Sequence, residues 1–225
     1  MESKVFAIGD IHGCYKTFEK LLDTAAPARN DTIVLLGDYI DRGPSPQKVI
    51  DLILELKSGG YKLVTLMGNH ESMLLESRQN IHAFTNWMYN GGEATLRDFG
   101  IGSVAEMGTV YLNFFRGLRF YYEAGRYLFV HAGFNEKPAE TFNDVHSMLW
   151  ARKECYASAS FENKTIVHGH SPVDCLLLEN AVRDKQQVIN VDTGCVYAHR
   201  KGLGYLSAVE FPAYKIFSCK NIDIE

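Results

Sequence analysis

Five times along this chain a short apolar run stops at a glycine-bounded polar cluster, and that repetition restricts the fold more than any other feature. Val5-Phe6-Ala7-Ile8 precedes Gly9-Asp10-Ile11-His12-Gly13, and Ile33-Val34-Leu35-Leu36 precedes Gly37-Asp38-Tyr39-Ile40-Asp41-Arg42-Gly43. Leu63-Val64-Thr65-Leu66-Met67 leads into Gly68-Asn69-His70-Glu71, Leu128-Phe129-Val130 into His131-Ala132-Gly133, and Thr165-Ile166-Val167 into His168-Gly169-His170. Short apolar runs rich in β-branched residues and bounded by glycine predict buried strands. Ligand sites of α/β sheets gather where strands end and loops begin. The Asp, Asn and His side chains of all five clusters are therefore expected in one small volume. Carboxylates, an amide oxygen and imidazoles beside an arginine are the donor set of a divalent-metal site that handles phosphate.

At 225 residues the chain has the length of one domain, 1–225, with room for a sizeable core. A formal charge of −4 argues against a nucleic-acid binder that works by bulk electrostatics. No stretch is long and apolar enough for a membrane span, and Met1-Glu2-Ser3-Lys4 runs straight into the first strand, which leaves no room for a leader. The five cysteines (Cys14, Cys155, Cys175, Cys195, Cys219) are scattered and lack CxxC spacing, as expected of reduced thiols in a cytoplasmic protein. Oligomeric state is not legible.

The first third alternates strand and helix. Tyr15, Phe18, Leu21, Leu22 and Ala25 recur at helical spacing before Pro27. Ser45-Pro46 reads as an N-cap and first-turn pair for a second helix that Gly59-Gly60 stops. A third helix begins at Asn69-His70. Connections of this length favour parallel strands. Residues 72–119 read as a helical insert near the site, rich in aromatics and interrupted at Asn90-Gly91-Gly92 and Gly100. Phe120–Tyr122 and Tyr127–Val130 then read as strands, with a helix containing Val145, Met148, Leu149 and Trp150. The last fifty residues carry strand signals at 175–178, 187–191, 205–211 and 214–217. The architecture expected is mixed α/β, two sheets packed face to face with helices outside.

Hydrolysis of a phosphate ester needs an activated water, a clamp for the phosphoryl oxygens and a proton for the leaving oxygen. A pair of metal ions ~3.5–4 Å apart supplies the first and much of the second. It needs a bridging carboxylate and a mixed nitrogen–oxygen shell, which suits manganese, iron or zinc better than calcium or magnesium. Asp10 and His12, two apart in an extended turn, point to one side. Asp38 is the natural bridge, Asn69 supplies an amide oxygen, and His131 and His170 supply imidazoles. The guanidinium fork of Arg42 suits bidentate phosphate binding. His70, beside Asn69 and paired with Asp41, is placed to give a leaving alkoxide its proton.

Together GD-x-HG, GD-x-x-DRG, GNHE, HAG and GH-x-P, in that order, resemble the metal-dependent PPP phosphoprotein phosphatases, the compact bacterial and phage-type members above all. The resemblance spans about Val5 to Val196. It implies the calcineurin-like metallophosphoesterase sandwich and two divalent metals, manganese first, with iron or zinc as alternatives. It assigns Asp10, His12 and Asp38 to one metal and Asp38, Asn69, His131 and His170 to the other. His70 with Asp41 becomes the general-acid pair, Arg42 a phosphate clamp, and Arg152 the second phosphate-binding arginine. The implied activity is hydrolysis of phosphoserine and phosphothreonine in proteins, with phosphotyrosine as an extension. The rivals are a symmetrical dinucleoside tetraphosphate hydrolase of the same superfamily and a catalytically silent binding protein. Those hydrolases commonly depart from the DRG and GNHE forms, so the intact Asp41 and Glu71 favour the protein phosphatase.

His168 is tempting as a seventh ligand, but the family pattern uses only His170, which favours an outer position for His168. Asp192 follows a strand and is a candidate outer partner. His82, His146 and His199 lack ligand-like spacing. Phe84, Trp87, Tyr89, Phe114 and Phe115 are expected in a core, and Cys14 and Cys195 in packing roles near the motifs.

Overall fold

The apolar runs are strands, and period-two alternation along them builds three cores rather than one. The computed structural model describes residues 4–224; Met1 to Ser3, on which the expectation of no leader falls, lie outside the described residues. One sheet is ordered β3 (Lys62–Thr65), β2 (Thr32–Leu35), β1 (Val5–Ile8), β8 (Tyr205–Phe211) and β9 (Lys215–Lys220). The other is ordered β4 (Tyr121–Ala124), β5 (Tyr127–Val130), β6 (Thr165–His168) and β7 (Val188–Asn190). β1, β2 and β3 are parallel, as are β5, β6 and β7. Ala7, Val34, Phe129, Val167, Ile189 and Val209 form the layer between the sheets. Their chain neighbours Ile8, Ile33 and Leu35 pack outward with Phe18 and Leu21 of α1 (Tyr15–Ala25) and Val49 and Ile53 of α2 (Pro46–Ser58). Leu128, Val130 and Ile166 pack on the far side with Phe134, Met148 and Phe161. A slip of one residue in any inner strand would exchange these faces, so the register is set by burial.

After β3 come α3 (Asn69–Glu76), α4 (Ile81–Trp87), a π-helical turn (Met88–Gly92), α5 (Glu93–Asp98) and α6 (Thr109–Arg116). α7 (Val145–Trp150) and α8 (Cys175–Arg183) complete the helices used below. No helix among the described residues is long and apolar enough to cross a membrane.

Two readings of local structure are corrected. Residues 175–178, expected as a strand, open α8 instead. Asp174 caps that helix by accepting the Leu176 amide, and Leu178, Ala181 and Val182 form its buried stripe while Leu176 and Leu177 face solvent. Ser45 occupies the N-cap position of α2, but its side chain makes no capping bond.

Candidate active site

Each candidate metal ligand sits just beyond the C-terminal end of a strand. Asp10 and His12 follow β1, Asp38 follows β2, Asn69 follows β3, His131 follows β5 and His170 follows β6. The loops that carry them are tightly wound: His12, Asp38, Asp41, Arg42 and His170 have φ of 45°, 52°, 69°, 68° and 69°. Left-handed backbone costs an L-residue about 1–2 kcal/mol and persists only where surrounding bonds hold it. Those bonds are present. The His12 amide donates to Asp38 O at 2.8 Å and the Gly13 amide to Tyr39 O at 2.8 Å. The buried Glu71 carboxylate accepts the amides of Asp38 (2.9 Å), Tyr39 (2.8 Å) and Gly68 (3.0 Å). Burial lifts that carboxyl to about 8 against the pull of those amides.

Asp38 is shared by two groups of converging donors, His12–Asp38–His70 and Asp38–His131–His170, with the donor atoms of each group within 4.8 Å of one another. Asp38 Oδ2 lies 3.5 Å from His12 Nε2 and 3.9 Å from His70 Nε2, while its Oδ1 lies 3.6 Å from His131 Nε2. Asn69 Oδ1 joins the second group, 2.9 Å from His131 Nε2 and 3.0 Å from His170 Nδ1. Burial pushes the Asp38 carboxyl up, but the imidazoles of His131, His70, His12 and His170 outweigh it and hold Asp38 below the usual carboxylate range. Asp10 is adjacent but outside both groups, its carboxylate taking the His170 amide at 3.0 and 3.2 Å.

These donors fit divalent cations. His12 Nδ1 donates to Ile40 O at 2.8 Å and His131 Nδ1 to Leu36 O at 2.9 Å, so both rings turn an Nε2 lone pair inward. His131 Nε2 then faces the amide oxygen of Asn69 with no proton between them. His170 turns Nδ1 toward Asn69 Oδ1 and His131 Nε2, at 3.0 and 3.2 Å, while its Nε2 is buried without a hydrogen-bond partner. Burial, then Asp192 and Asp38, push the Asp10 carboxyl well up. Burial also drives Asp192 up to about 7, although it accepts the Gly194 amide. Buried carboxylates crowded together, with lone pairs aimed inward, are relieved by positive charge.

His70 Nδ1 lies 2.6 Å from Asp41 Oδ2 in a fully buried pair. Arg42 is exposed at the mouth, donates from Nη1 to His12 Nε2 at 2.7 Å and lies over the Tyr197 ring at 5.6 Å. Arg152 is exposed, bonds Ser171 Oγ at 3.1 Å, and contributes, after burial and His131, to holding His170 down at about 3. His168 is buried beside the site, belongs to neither donor group, and is lowered by burial to about 4. His82, His146 and His199 are exposed. Cys14 and Cys195 are buried, and both accept from Asn221 Nδ2, at 3.2 and 3.6 Å.

Two expectations about side chains need correction or enlargement. Tyr89, expected in the core, is 88% exposed, on the π-helical turn that follows the buried Trp87. Trp87 is buried as expected, yet its indole N–H also donates to Asp41 Oδ2 at 2.8 Å. Thr95 on α5, which lies outside every motif, donates to Asp41 Oδ1 at 2.6 Å.

A family model for calcineurin-like phosphoesterases matches residues 3–200. The asymmetrical bis(5'-nucleosyl)-tetraphosphatase PrpE of Geobacillus sp. (strain WCH70) is 27% identical, in an alignment covering 96% of this chain and 93% of PrpE. Serine/threonine-protein phosphatase 1 of Salmonella typhimurium is 30% identical over 66% of this chain and 68% of its own length. In fold the chain is similar to a protein serine/threonine phosphatase from Saccharomyces cerevisiae with similarity to human phosphatase PP5. The TM-score is 0.66 at 16% identity, covering all of this chain and 81% of the yeast structure.

Proposed function

The chain belongs to the calcineurin-like phosphoesterases and is a metallophosphoesterase, and from that premise we propose that it hydrolyses phosphoserine and phosphothreonine in proteins, with phosphotyrosine as an extension. Asp10, His12 and Asp38 would hold one divalent cation and Asp38, Asn69, His131 and His170 a second, manganese first, with iron or zinc as alternatives. Bound there, such ions supply Lewis acidity and an activated water. The protein's own groups do the rest. Arg42, released from His12, and Arg152 bind phosphoryl oxygens, whose charge persists through the reaction. Asp41 fixes the His70 ring through Nδ1, which leaves Nε2 to deliver a proton to the departing oxygen.

The observation that favours this substrate class is the buried His70–Asp41 pair at 2.6 Å. An alkoxide leaving from serine or threonine needs that proton, whereas a nucleoside polyphosphate departs as a stable anion. Hydrolysis of dinucleoside tetraphosphates is the second reading, supported by the tetraphosphatase that aligns along 96% of the chain. The deciding assay compares kcat/KM of the manganese-loaded protein on a phosphoserine peptide and on diadenosine tetraphosphate. Preference for the peptide is expected; preference for the dinucleotide overturns the first reading in favour of the second.

A further inference from the structure

We propose that Trp87 and Thr95 are positioning residues that set the proton-delivering geometry of His70 by immobilising Asp41; the inference rests on the reading of His70 as an acid. Asp41 is completely buried, and its carboxylate is tied at both oxygens. Oδ2 accepts from His70 Nδ1 at 2.6 Å and from Trp87 Nε1 at 2.8 Å. Oδ1 accepts from Thr95 Oγ1 at 2.6 Å, and the same hydroxyl accepts the Asp41 amide at 3.0 Å, so Thr95 holds side chain and backbone of one residue together. The next amide, Arg42 N–H, donates to Gly91 O at 3.2 Å. Trp87 ends α4, Gly91 lies in the π-helical turn and Thr95 is in α5, so all three contacts come from one continuous helical stretch.

That stretch presses on the two residues whose backbone needs outside support, Asp41 and Arg42, at φ 69° and 68°. Local π-helical geometry often accompanies functional sites, and here it lets both side chains meet a single carboxylate. With three donors on its two oxygens, the carboxylate has no room to rotate. Loss of the Trp87 or Thr95 bond frees it to swing, and the His70 ring swings with it. Trp87 and Thr95 are themselves fully buried and cannot touch substrate. They act only through Asp41.

A purely packing role for Trp87, which also meets Phe84 edge-on at 6.4 Å, predicts a different result. The experiment uses the manganese-loaded protein and two substrates: a phosphoserine peptide, whose leaving alkoxide needs a proton, and p-nitrophenyl phosphate, whose leaving group does not. Thr95→Val keeps the shape and removes both bonds; Thr95→Ser keeps the hydroxyl; Trp87→Phe keeps the ring and removes the N–H. Losing a hydrogen bond to a charged group, Thr95→Val should lower kcat on the peptide by about tenfold or more. KM, bound manganese and kcat on the aryl ester should stay near the parent values. Thr95→Ser should recover most of the loss, and Trp87→Phe should follow Thr95→Val, carrying the test if Thr95→Val does not fold. Equal losses on both substrates, no loss on either, or failure of Thr95→Ser to rescue overturns the proposal. His70→Asn is run in parallel. If it too lowers both substrates equally, the acid reading has failed; if it spares the aryl ester while Thr95→Val does not, only the positioning role has failed.

Discussion

Gly68 ends the β3 loop with φ −92° and ψ 168°, a conformation open to any residue, so only lack of space demands glycine there. A Cβ at this position would overlap Asp38 Oδ1, press on the Asp38 amide, and stand 2.7 Å from Glu71 Oε2. Carbon and oxygen pack at about 3.3 Å or more, so Glu71 must retreat by roughly 0.6 Å and Asp38 by about 1 Å. Neither retreats freely. Asp38 is the carboxylate shared by both donor groups, and Glu71 holds three backbone amides of the two loops. A misplacement of ~1 Å at reacting groups costs on the order of 10² in rate, and overpacking a tight interior costs about 1–3 kcal/mol of stability. Gly68→Ala is therefore expected to lower kcat about a hundredfold and to lose bound manganese. The control is Gly125→Ala, in the β4–β5 turn, where φ is +62° but a Cβ meets nothing within 4 Å. It should lose about 1 kcal/mol from backbone strain and keep full activity. Steady-state kinetics, elemental analysis and thermal melts of the two variants decide. Parent-like kcat and metal content in Gly68→Ala would refute the reasoning, as would an equal loss of activity in Gly125→Ala.

Arg42→Ala should raise KM, lower kcat and weaken inhibition by inorganic phosphate while leaving metal content unchanged, with Arg42→Lys recovering only part; phosphate binding as tight as the parent's would make the arginine structural. Arg152→Ala should show the same signature by the same kinetics. His70→Asn should cut kcat on the phosphoserine peptide by ~10²–10⁴, with a smaller effect on the aryl ester and unchanged manganese. His168 supplies a pH dependence of stability: the unfolded chain takes its proton near 6.5, whereas the buried ring takes it only near 4. The unfolded state thus binds more protons between those values, and stability falls as pH drops from 6.5 toward 4, by up to about 3 kcal/mol from this group. Urea midpoints of the metal-free chain across that window should lose about one proton's worth of slope in His168→Asn.

The strands and the convergence of the motif residues were legible because each rests on a local signal. Runs such as Ile33–Leu36 between polar turns leave little choice but a buried strand, and a site at strand ends follows from the topology. The 175–178 segment misled for a related reason. Cys-Leu-Leu-Leu is too short to display a period, and the deciding residues, Asp174 as cap and Ala181 and Val182 as the rest of the stripe, flank it. Glu71 stood inside a recognised motif, yet its function, gathering amides from residues 30 or more positions away, is invisible without the fold. Trp87 and Thr95 lie 46 and 54 residues from Asp41, and only the turn at Met88–Gly92 brings them to it. Apolar pattern placed Trp87 in the core correctly but could not show what its N–H meets.

Two cations sharing the Asp38 carboxylate, as proposed, would make hydrolysis depend on its charge, and Asp38→Asn tests this most directly, since the amide nearly preserves shape while removing that charge. Elemental analysis after manganese loading, with phosphopeptide turnover on the same samples, is the measurement. The expected result is two ions per chain in the parent, with chelation abolishing turnover and manganese restoring it, and loss of both ions and of turnover together in Asp38→Asn. Two ions retained by Asp38→Asn, or full activity of the parent after confirmed metal stripping, would contradict it.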